Sequence, residues 1–512
     1  MGNNIRFNGG KLSRSPAFKG ILNTTAPTPV FCYSYSIAGS NDRVGVVNIT
    51  GTSYQYTSGV ETLTTPTVFT PVSGTEPFTF CMLANLGYLN RNSDVPQYFA
   101  PSSTLFTKLP NWPATYTCRS LRAFKSYLIA LNITKGGSTN PTMFKWSDIT
   151  PNNSYPVSWD ETDTTKSAGE NTLQECTSSI LDGMALRDAF IAYTTNQVHL
   201  IEYTADSNVF RTRKLFDGPG IINTNCVVEI EGKHYVFGKS DIYSHDGISP
   251  MSIADQRVKD FIFNNLNTSQ TDKFFVAHNP LLTEFMCCYV SGDAFANFPI
   301  ATYCNRAAVY NYRNNTWAFR DLPNATGAAL TSIPATAYSY TTISPFTYSN
   351  IGSTYSALAG NAPKGLVFSS PLDTPSLLTT SKLYAYDAIV AGSFSEAVDY
   401  VATTPAFAQR VGVDMDEQGA SLNSYKVAKT LYPQGNALSG TGNLSFSFGA
   451  TLFNDMQPSF STAVVFDPTS QYKVDIPQGI GGRYLAWKVT DSGSFSFELS
   501  GLDVDATVTG KR

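Results

Sequence analysis

Residues 145–163 read KWSDITPNNSYPVSWDETD and bring Trp146, Trp159, Asp148, Asp160, Glu161 and Asp163 into one short stretch. Aromatic platforms beside paired acids are what a glycosidase cleft needs. One carboxylic acid protonates the leaving oxygen, and a second carboxylate lies roughly 5 to 9.5 Å away as base or nucleophile. The spacing of these four acids does not by itself define such a pair. Pro151, Asn152, Asn153 and Pro156 mark a loop between strands, so a solvated acidic loop on a scaffold is the competing reading.

Other reactive side chains are scattered. The histidines, His199, His234, His245 and His278, are spaced as if one fell in each successive strand group, and no nucleophile elbow accompanies them. The eight cysteines stand at 32, 81, 118, 176, 226, 287, 288 and 304, without CxxC pairs, which predicts small buried hydrophobes and no metal site. In EFMCCYV, strand alternation sends Cys287 and Cys288 to opposite faces. TDSGSFSF from Thr490 loosely resembles an aspartate box, a turn motif that carries no catalysis, and it occurs once. Walker, dinucleotide and HExxH patterns are missing, so no cofactor is expected.

Composition narrows the classes further. Charged residues are 14% of the 512, against roughly 25% in ordinary soluble proteins, while aromatics reach 13%. A surface of Ser, Thr, Asn and Tyr suits an extracellular or virion protein, or one covered by partners. The net charge of -4 and the lack of a basic run argue against nucleic-acid binding as the main activity, because phosphate affinity comes from clustered Lys and Arg. No apolar run is long enough to span a bilayer, and MGNNIRFNGGKLSR lacks the apolar core of a signal peptide, so a soluble chain without membrane insertion is expected.

The elements that must position these residues are strands. One helix stands out in SIADQRVKDFIFNNL, where Ser252 and Asp255 suggest a capping box and Val258, Phe261, Ile262 and Leu266 share a face. Elsewhere, short alternating runs are divided by turn residues. Strand, turn, strand is legible in SYLIALNIT-KGGSTN-PTMFKWSDI, and meanders follow in DAFIAYT-TN-QVHLIEYT-ADSN-VFRTRKLF and NCVVEIEGKHYVFGKSDIYSHDG. Their recurrence at roughly 40 to 60 residues predicts propeller blades, five or six in number. The expected class is all-β: an N-terminal arm over 1–30, a β-propeller over 31–324, a Ser/Thr/Tyr-rich β or loop insertion over 325–404, and a β-sandwich-like domain over 405–512.

The order of segments is similar to that of the tail nozzle, or tail tubular B-like, proteins of short-tailed bacteriophages. The similarity rests on FNGGKLSRSPAFKGI, NRNSDVPQYF with LPNWP, LRAFKSYLIALNIT, FKWSDI with the downstream SAGE, LRDAFIAYTTNQVHLIEY, FVAHNPLLTEFMCCY, GGRYLAWKV and SGLDVDATVTGKR. It implies a virion structural protein with no catalytic role. Such a protein forms a homohexameric ring, docked on the adaptor or portal ring, that retains and then conducts viral DNA. Tail fibres or a tail needle would attach outside, and assembly would take place in the bacterial cytoplasm. Arg6, Lys11 and Arg14 near the start, Lys511 and Arg512 at the end, and Trp159 in the acidic loop are the interface candidates. Solubilising charge on flexible ends is the other explanation of the five basic residues. A lumen of acidic and Ser/Thr/Tyr-rich loops would let DNA slide, because a cationic lining grips phosphates. The alternative function is a propeller-based glycan-binding or glycan-hydrolysing tail protein; a fibre would show shaft repeats, which are missing.

Overall fold

The computed structural model describes residues 2–15, 18–20, 28–36, 42–57, 60–64, 69, 76–100, 106–204, 208–292, 303–332, 364–371, 383–386, 407–411, 424–439, 442–453, 458–477, 479–491 and 496–511. They form an all-β structure of several antiparallel sheets. Sheet I holds Pro29–Tyr35, Arg43–Asn48, Ser53–Thr57 and Val60–Thr64; sheet II holds Phe78–Leu83, Leu86–Arg91, Gln97–Phe99 and Thr107–Lys108. Sheet III holds Tyr116–Phe124, Tyr127–Lys135, Ser138–Trp146 and Gly169–Thr172; sheet IV holds Ile180–Leu186, Ala189–Thr194, Gln197–Tyr203 and Phe210–Asp217. Sheet V holds Val227–Ile230, Lys233–Phe237, Ile242–His245 and Met251–Ser252, and group VI holds Phe275–Asn279, Glu284–Tyr289, Cys304–Asn311 and Thr316–Ala325.

A seventh four-stranded group lies beyond the five or six that the spacing predicts. Sheet VII joins Gly327–Ser332, Lys364–Ser369 and Leu383–Ala385 to Lys19–Gly20 from near the start of the chain. The first strand of each group lies beside the first strand of the next, and Gly327–Ser332 of sheet VII lies beside Pro29–Tyr35 of sheet I. Apolar clusters fill the spaces between neighbours: Tyr33 and Val47 with Leu89 and Phe99 between I and II, and Cys32 and Val46 with Val367 and Leu383 between VII and I.

Strand alternation explains how one strand serves two such layers. In Tyr127–Lys135, Ile129 and Leu131 face sheet IV, while Leu128 and Ala130 face sheet II. Strict alternation would put Ile133 on the sheet IV side. Instead, the register slips between Leu131 and Ile133, with Asn132 at φ 57°, and Ile133 packs toward sheet II. The freed Asn132 amide donates to Ile180 O across the layer.

Chain ends share sheets. Group VI continues through Gly2–Asn3, Phe407–Val411, Tyr484–Asp491, Leu444–Thr451 and Val464–Phe466 as a nine-stranded sheet. A second sheet pairs Ile5–Asn8 and Lys11–Arg14 with Ser496–Lys511, Ser424–Ser439 and Val474–Asp475. Ser496–Lys511 is one continuous strand, and residues 492–495 of the aspartate-box-like motif lie outside the described residues. No helix among the described residues is long and apolar enough to cross a membrane.

Two local expectations are corrected. The helix spans Gln256–Asn265 and its cap is Asp255, whose carboxylate accepts from Val258 N. Ser252 ends a strand of sheet V, and its hydroxyl is taken by Asp241 and Ala254 O. The histidines do not fall one per group either, since His234 and His245 pair across sheet V.

Those two imidazoles and Tyr193 form a closed proton-ordered chain. Gly247 N–H donates to His245 Nδ1 (3.2 Å), so His245 Nε2–H donates to Tyr193 Oη (2.6 Å). Tyr193 O–H then donates to His234 Nδ1 (2.6 Å), and His234 Nε2–H donates to Ala185 O (2.9 Å). Every position is satisfied only with both rings neutral. Burial lowers His234 to about 4; burial and the neighbouring His234 lower His245 to about 3. Both folded values lie below the unfolded 6.5, so this stability is complete above pH 6.5 and lost as pH falls through 4 and then 3. Urea unfolding between pH 7 and pH 4 should show a loss on the order of 3 kcal/mol from His234 alone, largely absent in His234→Phe.

Candidate functional site

The acidic loop singled out by sequence is fastened at both ends. Trp146 ends the third strand of sheet III and lies over Gly169, where an added Cβ would sit 2.3 Å from the indole ring. Its Nε1–H donates to Ser167 O (2.7 Å), while Asp148 Oδ1 accepts from Ser167 N (3.0 Å). Trp159 is 1% exposed, edge-on to Trp112 at 4.7 Å, in the apolar layer between sheets II and III. Trp146 is therefore a packing anchor, and Trp159 pins the loop instead of presenting a sugar platform.

Each acid of the loop has structural work. Asp160 Oδ1 accepts from the N–H and hydroxyl of Thr162, and Asp163 Oδ1 does the same for Thr165. Those bonds hold both carboxyls below their ordinary range. Lys145 is fully buried and its ammonium bonds both Glu161 and Glu170 (3.2 Å to the latter), while Lys135 also meets Glu170 at 2.5 Å. A buried ammonium without partners costs several kcal/mol, so two carboxylates converge on it. Burial raises the Glu161 carboxyl, but the bond from Lys145 outweighs this and leaves it below the usual range. A glycosidase general acid needs the opposite shift.

A second site emerges where residues from the first strands of the seven groups come near one another. They line a cavity of about 380 Å3, with Tyr33, Phe80, Arg122, Asn225, Lys273 and Ala328 among the lining residues. Its wall is organised by Asp182, which is buried. Oδ1 accepts from Ser120 Oγ (2.6 Å), Arg122 Nε (2.9 Å) and Gly183 N (2.8 Å), and Oδ2 from Arg122 Nη2 (2.6 Å) and Asn225 N (2.8 Å). Burial raises the carboxyl, yet the Arg122 charge and these donors prevail and hold it below the ordinary range.

The triplet Asn223-Thr224-Asn225 extends this network. Asn225 donates to Phe78 O of sheet II and accepts from Arg122 of sheet III. Thr224 donates to Leu181 O of sheet IV, and Asn223 accepts from Arg119 of sheet III and donates to Asp272 O before group VI. Sequence reasoning missed this triplet, because Asn and Thr before a strand signal only a turn. Chemically, the arrangement is a clamp whose acceptors and donors satisfy one another. Asp272 also lines the cavity, with its carboxyl raised by burial.

Of the interface candidates, Trp159 belongs to the acidic loop, whereas Arg6, Lys11 and Arg14 are engaged elsewhere. Arg6 pairs with Glu284 of group VI at 2.8 Å, Lys11 with Glu498 at 2.9 Å, and Arg14 forms a buried pair with Asp491. These three tie the N-terminal strands to group VI and to the C-terminal strands of their own chain. Lys511 pairs through its backbone with Ser424, and Arg512 lies outside the described residues.

Two substitutions test the roles assigned to these residues. Arg122→Met leaves Asp182 buried without its countercharge and should cost about 3–5 kcal/mol in urea unfolding. Trp159→Ala should cost a similar 3–5 kcal/mol by opening a cavity between sheets II and III, read as a lowered melting midpoint.

No family model and no curated protein matches this chain. Among solved structures, the computationally designed Ika8 protein (crystal structure, packing form in P63) is similar over 62% of this chain and 96% of its own, at 7% identity and a TM-score of 0.36, too low to bear on fold or function.

Proposed function

We propose that the seven four-stranded groups are the blades of a β-propeller, closed by Lys19–Gly20 as the outer strand of the seventh, and that the protein is a structural component of a virion: the tail nozzle of a short-tailed phage. The observation that carries the reading is the weaving of both chain ends into shared sheets, Gly2–Asn3 between Thr316–Ala325 and Phe407–Val411, and Lys11–Arg14 against Ser496–Lys511. Such a platform beside a propeller is what docking on an adaptor or portal ring requires, and it fits the co-linear resemblance of the segments.

The chemistry supports the same reading over a glycan hydrolase. Asp160 and Asp163 are committed to turns and Glu161 to Lys145, and these three carboxyls are lowered. A net charge of -4 suits a ring through which DNA passes without being held. In this role the subunit is one of six.

Electron microscopy and mass measurement of the purified chain should give six-fold rings and the mass of six chains, alone or once an adaptor ring is supplied. A monomer that cleaves capsular polysaccharide would overturn the proposal. Asp160→Ala, Glu161→Ala and Asp163→Ala should at most disturb assembly; loss of a polysaccharide-cleaving activity in a folded variant would favour the hydrolase.

A further inference from the structure

One buried guanidinium behind the N-terminal strands, that of Arg320, has no hydrogen-bond partner among the described residues. Thr316, Ala318 and Arg320 share one face of their strand and line a small internal cavity with Arg6, Glu284 and Tyr386. Glu284 accepts from Arg6 at 2.8 Å, and Arg320 lies beside that pair. On the opposite face, Arg306 and Asp321 pair at 3.2 Å and cancel.

Arg320 is 1% exposed, and none of its Nε, Nη1 and Nη2 has a hydrogen-bond partner among the described residues. Its guanidinium lies between two rings, 5.2 Å from that of Phe18 and 5.0 Å from that of Tyr386. Ring faces attract a cation but accept none of its in-plane N–H bonds. A buried cation is stable when an anion accompanies it. The cavity measures about 10 Å3, close to the room needed for one monatomic or water-sized occupant and too small for phosphate or a carboxylate.

We propose that this cavity is a halide site, in which a single chloride accepts the Arg320 N–H donors and supplies the countercharge of that guanidinium. The ion is structural. It sits where the sixth group meets the N-terminal strands, and it stabilises the folded chain by mass action, saturably with chloride concentration.

Crystals of the full chain soaked in sodium bromide should show an anomalous peak within hydrogen-bonding reach of the Arg320 guanidinium. In solution, the melting midpoint should rise by several degrees and saturate when sodium gluconate is replaced by sodium chloride or bromide at constant ionic strength. Arg320→Met should abolish that anion dependence, while Arg313→Met, at an exposed position, should keep it. The proposal fails if the site shows only a water, if the midpoint follows ionic strength alone, if Arg320→Met leaves the halide effect intact, or if bromide appears at the soak concentration with no effect on melting. Should Arg320→Met not fold, the bromide map and the anion series on the natural chain still decide.

Discussion

The structure depends most on the carboxylate of Asp182. Sheets packed face to face are held by apolar layers, which resist separation but set no unique rotation or slide between neighbours. Asp182 supplies what those layers lack. It accepts from sheet III through Ser120 and Arg122, from its own backbone at Gly183, and from the loop into sheet V through Asn225. Each of these bonds has a direction, and their joint satisfaction permits one placement of the three sheets. With Asn225 reaching sheet II and Asn223 reaching the segment before group VI, the inner ends of five groups are fixed by one connected polar network.

Much of the sheet structure was legible because its signal is local. Alternation located strands of sheets III, IV and V, and Glu231-Gly232, both at positive φ, makes the tight turn between Val227–Ile230 and Lys233–Phe237. The interlock of FKWSD with SAGE also follows from its types: a Trp over a Gly, an Asp receiving an N–H, and a Glu for a buried Lys. What escaped was non-local. Sheet VII was hidden because its fourth strand is two residues long and lies more than 300 positions from its partner, and because long polar segments divide the other three. The Asn-Thr-Asn hub escaped for a related reason, since its value arises only from chain segments that fold beside it.

The candidate basic residues illustrate the same limit. Positive charge near a chain end suggests an exposed arm, and pattern alone cannot reveal that Arg14 meets Asp491 in a dry interior. The tryptophans show the converse. Their surroundings in sequence suggested a ligand, and the three-dimensional answer is mechanical: Trp146 holds the loop where it leaves and rejoins sheet III, and Trp159 pins its middle between sheets II and III.

The pairing of Leu12 with Leu499 and of Gly20 with Tyr384 has a kinetic consequence. These partners lie hundreds of positions apart, whereas each of sheets I to VI is built from strands that follow one another closely in the chain. Closing a long loop is costly and slow, so the local sheets form first and these two pairings last. Until they form, the seventh sheet and the sheet of Lys11–Arg14 keep open edges on which another strand could pair.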